Sequence, residues 1–203
     1  DYDARKDGAG SYEAAIKAMR MQKIRDGEIV PWERREVIGD CVLYQGDCME
    51  VMQVLDKVDT VVTDPPYEEQ AHKSMRRTRA KIEGRVDSSD LTFGSITEDQ
   101  RDYLTKWCSE NCFGWAGIFC QVEAVGKYKN AFDNGGAKWD RAWAWVKPDA
   151  APRFNGQGPA QGFECFATAW CGAGTRGWNG GGRRNVLTCN VTANRASSHP
   201  TEK

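Results

Sequence analysis

The chain has 203 residues, of which 40% are hydrophobic and 28% charged, with a formal net charge of −1. That length suits one α/β domain with a real core. The near-neutral balance excludes binding to nucleic acid through overall charge, so any such contact rests on local patches, and no apolar run is long enough for a membrane span.

In chain order, residues 11–26 carry Ile16, Met19 and Ile24 among charged residues, the pattern of an amphipathic helix with Ser11 as N-cap and Gly27 as its stop. Pro31-Trp32 leads out of it, giving a helical N-terminal arm, 1–35, of unassigned role before a main domain, 36–203. Cys41-Val42-Leu43-Tyr44 reads as a strand and Gly46-Asp47-Cys48 as the turn that ends it. Met49, Val51, Met52 and Leu55 follow at helical spacing, and Val58, Val61 and Val62 form a β-branched run suited to a buried strand of a parallel sheet. Residues 42–67 therefore predict a βαβ unit with a right-handed crossover.

Residues 61–67 read Val-Val-Thr-Asp-Pro-Pro-Tyr. Asp64 falls at the carboxyl end of the predicted strand, where open α/β sheets bind ligands. Pro65 and Pro66 remove two backbone donors and stiffen the turn. A carboxylate, a carbonyl with no competing N–H beside it and an aromatic ring make a grip for an exocyclic amine: Asp64 and the Pro65 carbonyl accept its hydrogens, and Tyr67 offers a stacking face. The plainer alternative is an ordinary proline turn capped by Asp.

Past the motif lies a cationic run, with Lys73, Arg76, Arg77, Arg79, Lys81 and Arg85 set against Glu83. It reads either as a phosphate-holding loop or as a solvated, disordered connector. Thr97 then caps a predicted helix over 97–112, followed by a strand at 117–122 and a helix at 125–132. Alternation through Ala142-Trp143-Ala144-Trp145-Val146 marks a strand ended by Pro148, and residues 165–170 give another. Alternating strands and helices predict a doubly wound α/β fold.

Of the eight tryptophans, most are expected in the core, with Trp178, set in a glycine loop, the first candidate for stacking on a base. Arg183 and Arg184 beside it suit phosphate. The eight cysteines form no Cys-x-x-Cys pair and the two histidines lack ligand spacing, so no metal site is expected. With no signal-peptide pattern, the thiols are expected reduced in a cytoplasmic protein.

The segment CVLYQGDCMEVMQVLDKVDTVVTDPPY resembles the opening of the catalytic domain of the Asp-Pro-Pro-Tyr class of DNA amino-methyltransferases. The resemblance implies a Rossmann-like methyltransferase sheet, S-adenosylmethionine as cofactor, double-stranded DNA as partner, and transfer to the N6 amino group of a flipped adenine. Asp64, Pro65, Pro66 and Tyr67 match the catalytic motif, and Asp47, with Cys48 beside it, matches the acidic turn that holds the cofactor's adenosine. His199, Pro200, Thr201 and Lys203 are similar to the His-Pro-Thr-x-Lys segment beside the cofactor's methionine. The cationic run stands where the class has a mobile loop over the substrate strand, and the loop after its Trp-x-Lys-Pro strand end helps frame the target base.

In the order this class follows, a glycine-rich cofactor loop comes after the His-Pro-Thr-x-Lys segment. It is expected beyond residue 203, so the sheet is expected to be incomplete at its C-terminal end. Trp170-Cys171-Gly172-Ala173-Gly174-Thr175 resembles such a loop, but Gly177 to Gly182 after it cannot propagate the helix the loop should open. Three alternatives stand: N4 of cytosine as target, an RNA base as target, or a non-catalytic nucleic-acid-binding remnant of the same fold.

Overall fold

The computed structural model describes residues 4–68, 94–150 and 152–190, with side chains from residue 14 onward. The chain divides into two compact units, residues 1–57 and 58–203.

In the first unit, helix α1 spans Ala4–Arg25. Ser11 is therefore inside the helix, which starts about two turns earlier than the sequence pattern suggested. Ala4, Arg5, Lys6 and Ala9 are good helix formers, and the helix carries Gly8 and Gly10 at a cost of about 1 kcal/mol each. The helix does stop at Gly27, whose φ of 73° lets Gly27 N–H bond the Ile24 carbonyl and Glu28 N–H the Lys23 carbonyl, a Schellman closure. Of the expected apolar stripe, Ile24 is buried whereas Ile16 and Met19 are largely exposed.

Strands β1 (Arg34–Ile38) and β2 (Cys41–Gln45) follow as an antiparallel hairpin with Ile38 opposite Cys41. A single helical turn, α2 (Cys48–Val51), comes next. Arg20 reaches from α1 to Glu50 through Nε and Nη2, at 2.5 and 3.0 Å.

The second unit is built on a five-stranded sheet in the order β3-β4-β6-β5-β7. Its strands are β3 (Val61–Thr63), β4 (Trp115–Cys120), β5 (Lys138–Val146), β6 (Phe163–Trp170) and β7 (Val186–Thr188). β3 and β4 are parallel, as are β5 and β7, while β6 runs antiparallel to both its neighbours. The sheet is thus mixed, with one reversed strand.

The predicted βαβ unit over 42–67 is corrected by this topology: β2 pairs with β1, and β3 pairs with β4. The two-residue turn at Gly39-Asp40 gives β2 a partner without a crossover, and α2, one turn long, is no crossover helix. The real unit is β3, helix α3 (Glu98–Asn111) and β4. The expectation that the valine run is buried is also corrected. Among the described residues β3 is an edge strand, and Val62 is 66% exposed.

Helix α3 starts as its sequence predicts, with Thr97 Oγ1 accepting from Gln100 N–H and Gln100 Oε1 from Thr97 N–H, a capping box. Helix α4 (Val125–Gly135) packs against α3, β5 and β6. Ala116, Ile118 and Cys120 of β4 lie opposite Ala169, Ala167 and Cys165 of β6, and all six are buried. With Trp107, Cys108, Tyr128 and Phe132 they make the core. The alternate face carries Trp115, Phe119, Trp143, Trp145, Phe166 and Trp170 (period two along each strand).

Candidate active site

Asp64 follows directly on Thr63, the last residue of β3, so the motif leaves the sheet at the carboxyl edge of its parallel strands. Because β6 is reversed, its first residues arrive at that same edge: Cys165 lies opposite Cys120, the end of β4, and Phe163 opposite Val146, the end of β5. One edge therefore collects Asp64 to Glu68, Lys147 and Glu164. The sequence separation is large, but strand reversal cancels it.

Asp64 is exposed, while Pro65, Pro66, Tyr67 and Glu68 are half-buried. Tyr67 Oη donates to Glu164 Oε2 at 2.9 Å. Lys147 Nζ forms an ion pair with Glu164 Oε1 and lies 4.4 Å from the centre of the Trp145 ring, a cation–π contact. Burial, then the charges of Glu164 and Asp64, push the Tyr67 phenol far above its ordinary range, so Tyr67 is protonated and acts as a donor.

The far side of the motif is fixed as well. The Tyr67 carbonyl accepts from Ile96 N–H at 3.3 Å. Glu68 takes Arg101 Nη2 of α3 at 2.6 Å and Lys127 Nζ of α4 at 3.1 Å. The Arg101 guanidinium lies 5.6 Å from the Tyr128 ring centre, and Arg101 is 4% exposed with its Nε unpartnered. Glu68 is thus the counter-charge of a buried arginine, which ties the end of the motif to the helical layer.

Asp47 caps α2, its Oδ1 accepting from Met49 N–H at 2.8 Å. Cys48 beside it is exposed. His199, Pro200, Thr201 and Lys203, and likewise Lys73, Arg76, Arg77, Arg79 and Lys81, lie outside the described residues.

Trp178 is not brought to the motif. It packs near-perpendicular on Trp115 at 6.1 Å and tilted on Trp143 at 5.9 Å, and its indole N–H bonds the Gly181 carbonyl. Trp115 opens β4, whereas Trp143 lies opposite Phe166, itself opposite Phe119 near the end of β4, so this cluster lies along the face of the sheet between its two edges. Arg183 lines the same aromatic recess, of about 650 Å³, with Phe166 and Trp143. Arg184 is exposed nearby.

No helix follows Trp170 through residue 190. A side chain at Gly172 would meet the Phe113 carbonyl at 2.1 Å, so that glycine serves close packing of the loop on the sheet. Among the described residues no three of His, Cys, Asp and Glu converge on a metal-sized site.

Glu164, Lys147, Glu68 and Arg101 are the site residues that sequence reasoning left unassigned. Lys147 and Glu164 carried a signal: Lys147 directly follows the apolar run Ala142 to Val146, and Glu164 is the one charge in β6. Glu68 and Arg101 carried none.

The folds of two solved DNA methyltransferases are similar to this one. The crystal structure of the M1.HpyAVI–SAM complex matches with a TM-score of 0.52 at 19% identity, over 79% of this chain and 70% of that one. The cytosine-N4-specific PvuII DNA methyltransferase matches with a TM-score of 0.51 at 10% identity, over 75% of this chain and 58% of that one. No protein-family model and no curated protein matches the sequence. The mixed α/β sheet of this chain is the Rossmann-like fold of those methyltransferases.

Proposed function

We propose that this protein transfers a methyl group from S-adenosylmethionine to the N6 amino group of an adenine swung out of double-stranded DNA. The observation that carries the reading is the position of Asp64-Pro65-Pro66-Tyr67 at the carboxyl edge of a methyltransferase-type sheet, with Asp64 exposed and Tyr67 held from behind. That edge is where such sheets bind ligands. The catalytic domain is residues 36–203, with the helical arm 1–35 outside it.

An adenine N6 is a poor nucleophile because its lone pair is delocalised into the ring. Asp64 and the Pro65 carbonyl accept hydrogen bonds from the amine, favour a pyramidal nitrogen and partly offset the positive charge that develops on it. Tyr67 stacks on the flipped base, and alignment of the amine supplies much of the rate.

S-adenosylmethionine, with which M1.HpyAVI was crystallised, supplies an electrophilic methyl on a sulfonium. The residues present suit it. Asp47 has a second carboxylate oxygen besides the one that caps α2, an acceptor for ribose hydroxyls. Cys48 flanks it, and His199, Pro200, Thr201 and Lys203 are the candidates at the methionine end. Lys73, Arg76, Arg77, Arg79 and Lys81 are assigned to the DNA phosphates, as are Arg183 and Arg184, with Trp178 as a second contact outside the target-base pocket.

N4 of cytosine is the alternative acceptor, supported by the fold shared with the cytosine-N4-specific PvuII enzyme. The motif grips an amine, and both bases present one on a six-membered ring. The test is transfer of labelled methyl from S-adenosylmethionine to unmethylated genomic DNA, followed by digestion to nucleosides. N6-methyladenine is expected. N4-methylcytosine would replace the acceptor, and an unlabelled digest would overturn the reading.

A further inference from the structure

We infer that Phe154 is a wedge: it enters the gap that the extruded base leaves in the duplex and holds the neighbouring bases apart, while Arg153 beside it meets a phosphate. The inference deepens the proposed methyl transfer and rests on that reading for the extrusion it serves.

The observation is a large ring left uncovered at the catalytic edge. Phe154 is 87% exposed, more than any other large apolar side chain among the described residues. Burying such a ring is favourable, and the free protein leaves it in water. It stands on the loop that joins β5 to β6, both ends of which belong to the carboxyl edge. Lys147 N–H bonds the Gly162 carbonyl at 2.8 Å and closes the base of the loop. Glu164, the second residue of β6, accepts from Tyr67 Oη at 2.9 Å, so the loop and the motif share a root. Phe154 lies seven residues beyond Lys147 and reaches at most about 25 Å from it, far enough to meet the base pairs beside one gripped at the motif.

The tip has a defined shape. Gly156 N–H bonds the Arg153 carbonyl at 3.0 Å, a β-turn with Phe154 and Asn155 at its centre. Gln157 N–H donates to Asn155 Oδ1 at 3.1 Å, and Asn155 Nδ2 donates to Gln157 Oε1 at 3.4 Å. A side chain at Gly158 would meet Arg153 Nη1 at 2.6 Å, so the guanidinium lies against the same turn. A ring presented by a fixed turn loses less entropy on insertion than one on a slack loop. Arg153 is also the one charge between Asp149 and Glu164. The tip therefore offers a cation and an apolar ring with no carboxylate between them, which suits a partner anionic outside and stacked inside, as duplex DNA is.

The role differs from that of Tyr67. Tyr67 stacks on the base once it is out, whereas Phe154 acts on the duplex left behind. Extrusion loses the stacking and pairing of one base, and an apolar side chain inserted at the step offsets part of that loss and keeps the stack from closing.

The test uses the full chain with Phe154→Ala, Phe154→Trp and Arg153→Gln, each verified as folded by circular dichroism. The probe is a fluorescein-labelled duplex, intact or with one abasic site at its centre, and binding is read by fluorescence anisotropy. The abasic site offers the gap without extrusion, so wild type should bind it about 10- to 100-fold more tightly than the intact duplex. Phe154→Ala should bind the two alike, Phe154→Trp should keep the preference, and Arg153→Gln should weaken binding to both by a similar factor. In single-turnover methyl transfer to genomic DNA, Phe154→Ala should be slowed about 10-fold or more, with its affinity for S-adenosylmethionine unchanged.

Equal binding of the two duplexes by wild type, a preference that survives in Phe154→Ala, or an unslowed Phe154→Ala overturns the wedge. A Phe154-dependent preference in a wild-type protein that methylates nothing would keep the wedge and remove the methyl-transfer reading. Methyl transfer by a wild-type protein that has no such preference would do the reverse.

Discussion

The carboxyl edge and the aromatic face of the same sheet solve different problems. At the carboxyl edge, the start of β6 carries Glu164 and the short segments leaving β3 and β5 carry Asp64, Tyr67, Glu68 and Lys147, tied by ion pairs and a phenol bond. On the aromatic face, Trp115, Trp143, Trp170 and Trp178 pack ring against ring. The aromatic recess measures about 650 Å³, yet among the described residues its one lining carboxylate, Asp140, is already paired with Arg176. Size of a recess reports uncovered apolar surface, whereas chemistry follows the polar groups that the strand ends deliver.

The contrast predicts that the carboxyl edge is held by charge. Glu68→Ala strips the counter-charge from buried Arg101 and should cost about 3 kcal/mol of stability in urea unfolding. The paired change Glu68→Gln with Arg101→Met should recover most of it. A Glu68→Ala protein as stable as wild type would mean that Arg101 finds another partner and that the motif is not anchored through α3.

That anchor also marks where sequence reading ended. The motif itself was legible because its carboxylate, prolines and ring are contiguous and follow a β-branched run. Helix α3, α4 and strands β4 to β6 were legible from caps and periodicity, Thr97 and Gln100 most directly. Glu164 lies 97 residues from Tyr67 and Arg101 lies 33 from Glu68, so no local pattern links them; only strand order does. The βαβ reading failed for the same reason. Strand patterns give strands but not partners, and the Gly39-Asp40 turn gave β2 a nearer one.

A smaller effect is expected from the cationic run. Arg76, Arg77 and Arg79 changed together to Ala should weaken DNA binding and reduce the slope of log affinity against log salt by about 2.7. An unchanged slope would leave that run as a solvated connector and shift the phosphate contacts to Arg183 and Arg184.

On the aromatic face the losses should be modest. Trp178→Ala removes two aromatic contacts from a half-exposed ring and should cost about 1 kcal/mol of stability, with kcat within about twofold of wild type. A drop in kcat of the size expected at the carboxyl edge would erase the distinction between the two.

The smallest effect is chemical. Burial pushes the Cys108 and Cys171 thiols up to about 12, so at pH 8 only about one in 10,000 is thiolate. Iodoacetamide should modify exposed Cys41 and Cys189 in the native protein and reach Cys108 and Cys171 only on unfolding. Native labelling of Cys108 would show a looser packing between α3 and the sheet than the fold implies.

Asp64 at the carboxyl edge is the proposed grip on the target amine. It is tested most directly by single-turnover transfer of labelled methyl to DNA by wild type and Asp64→Asn side by side, with circular dichroism to verify that both are folded. Asp64 is exposed, so the fold should be unchanged, and loss of the carboxylate should slow transfer by about 100-fold or more. A folded Asp64→Asn protein that transfers methyl at the wild-type rate would contradict the account.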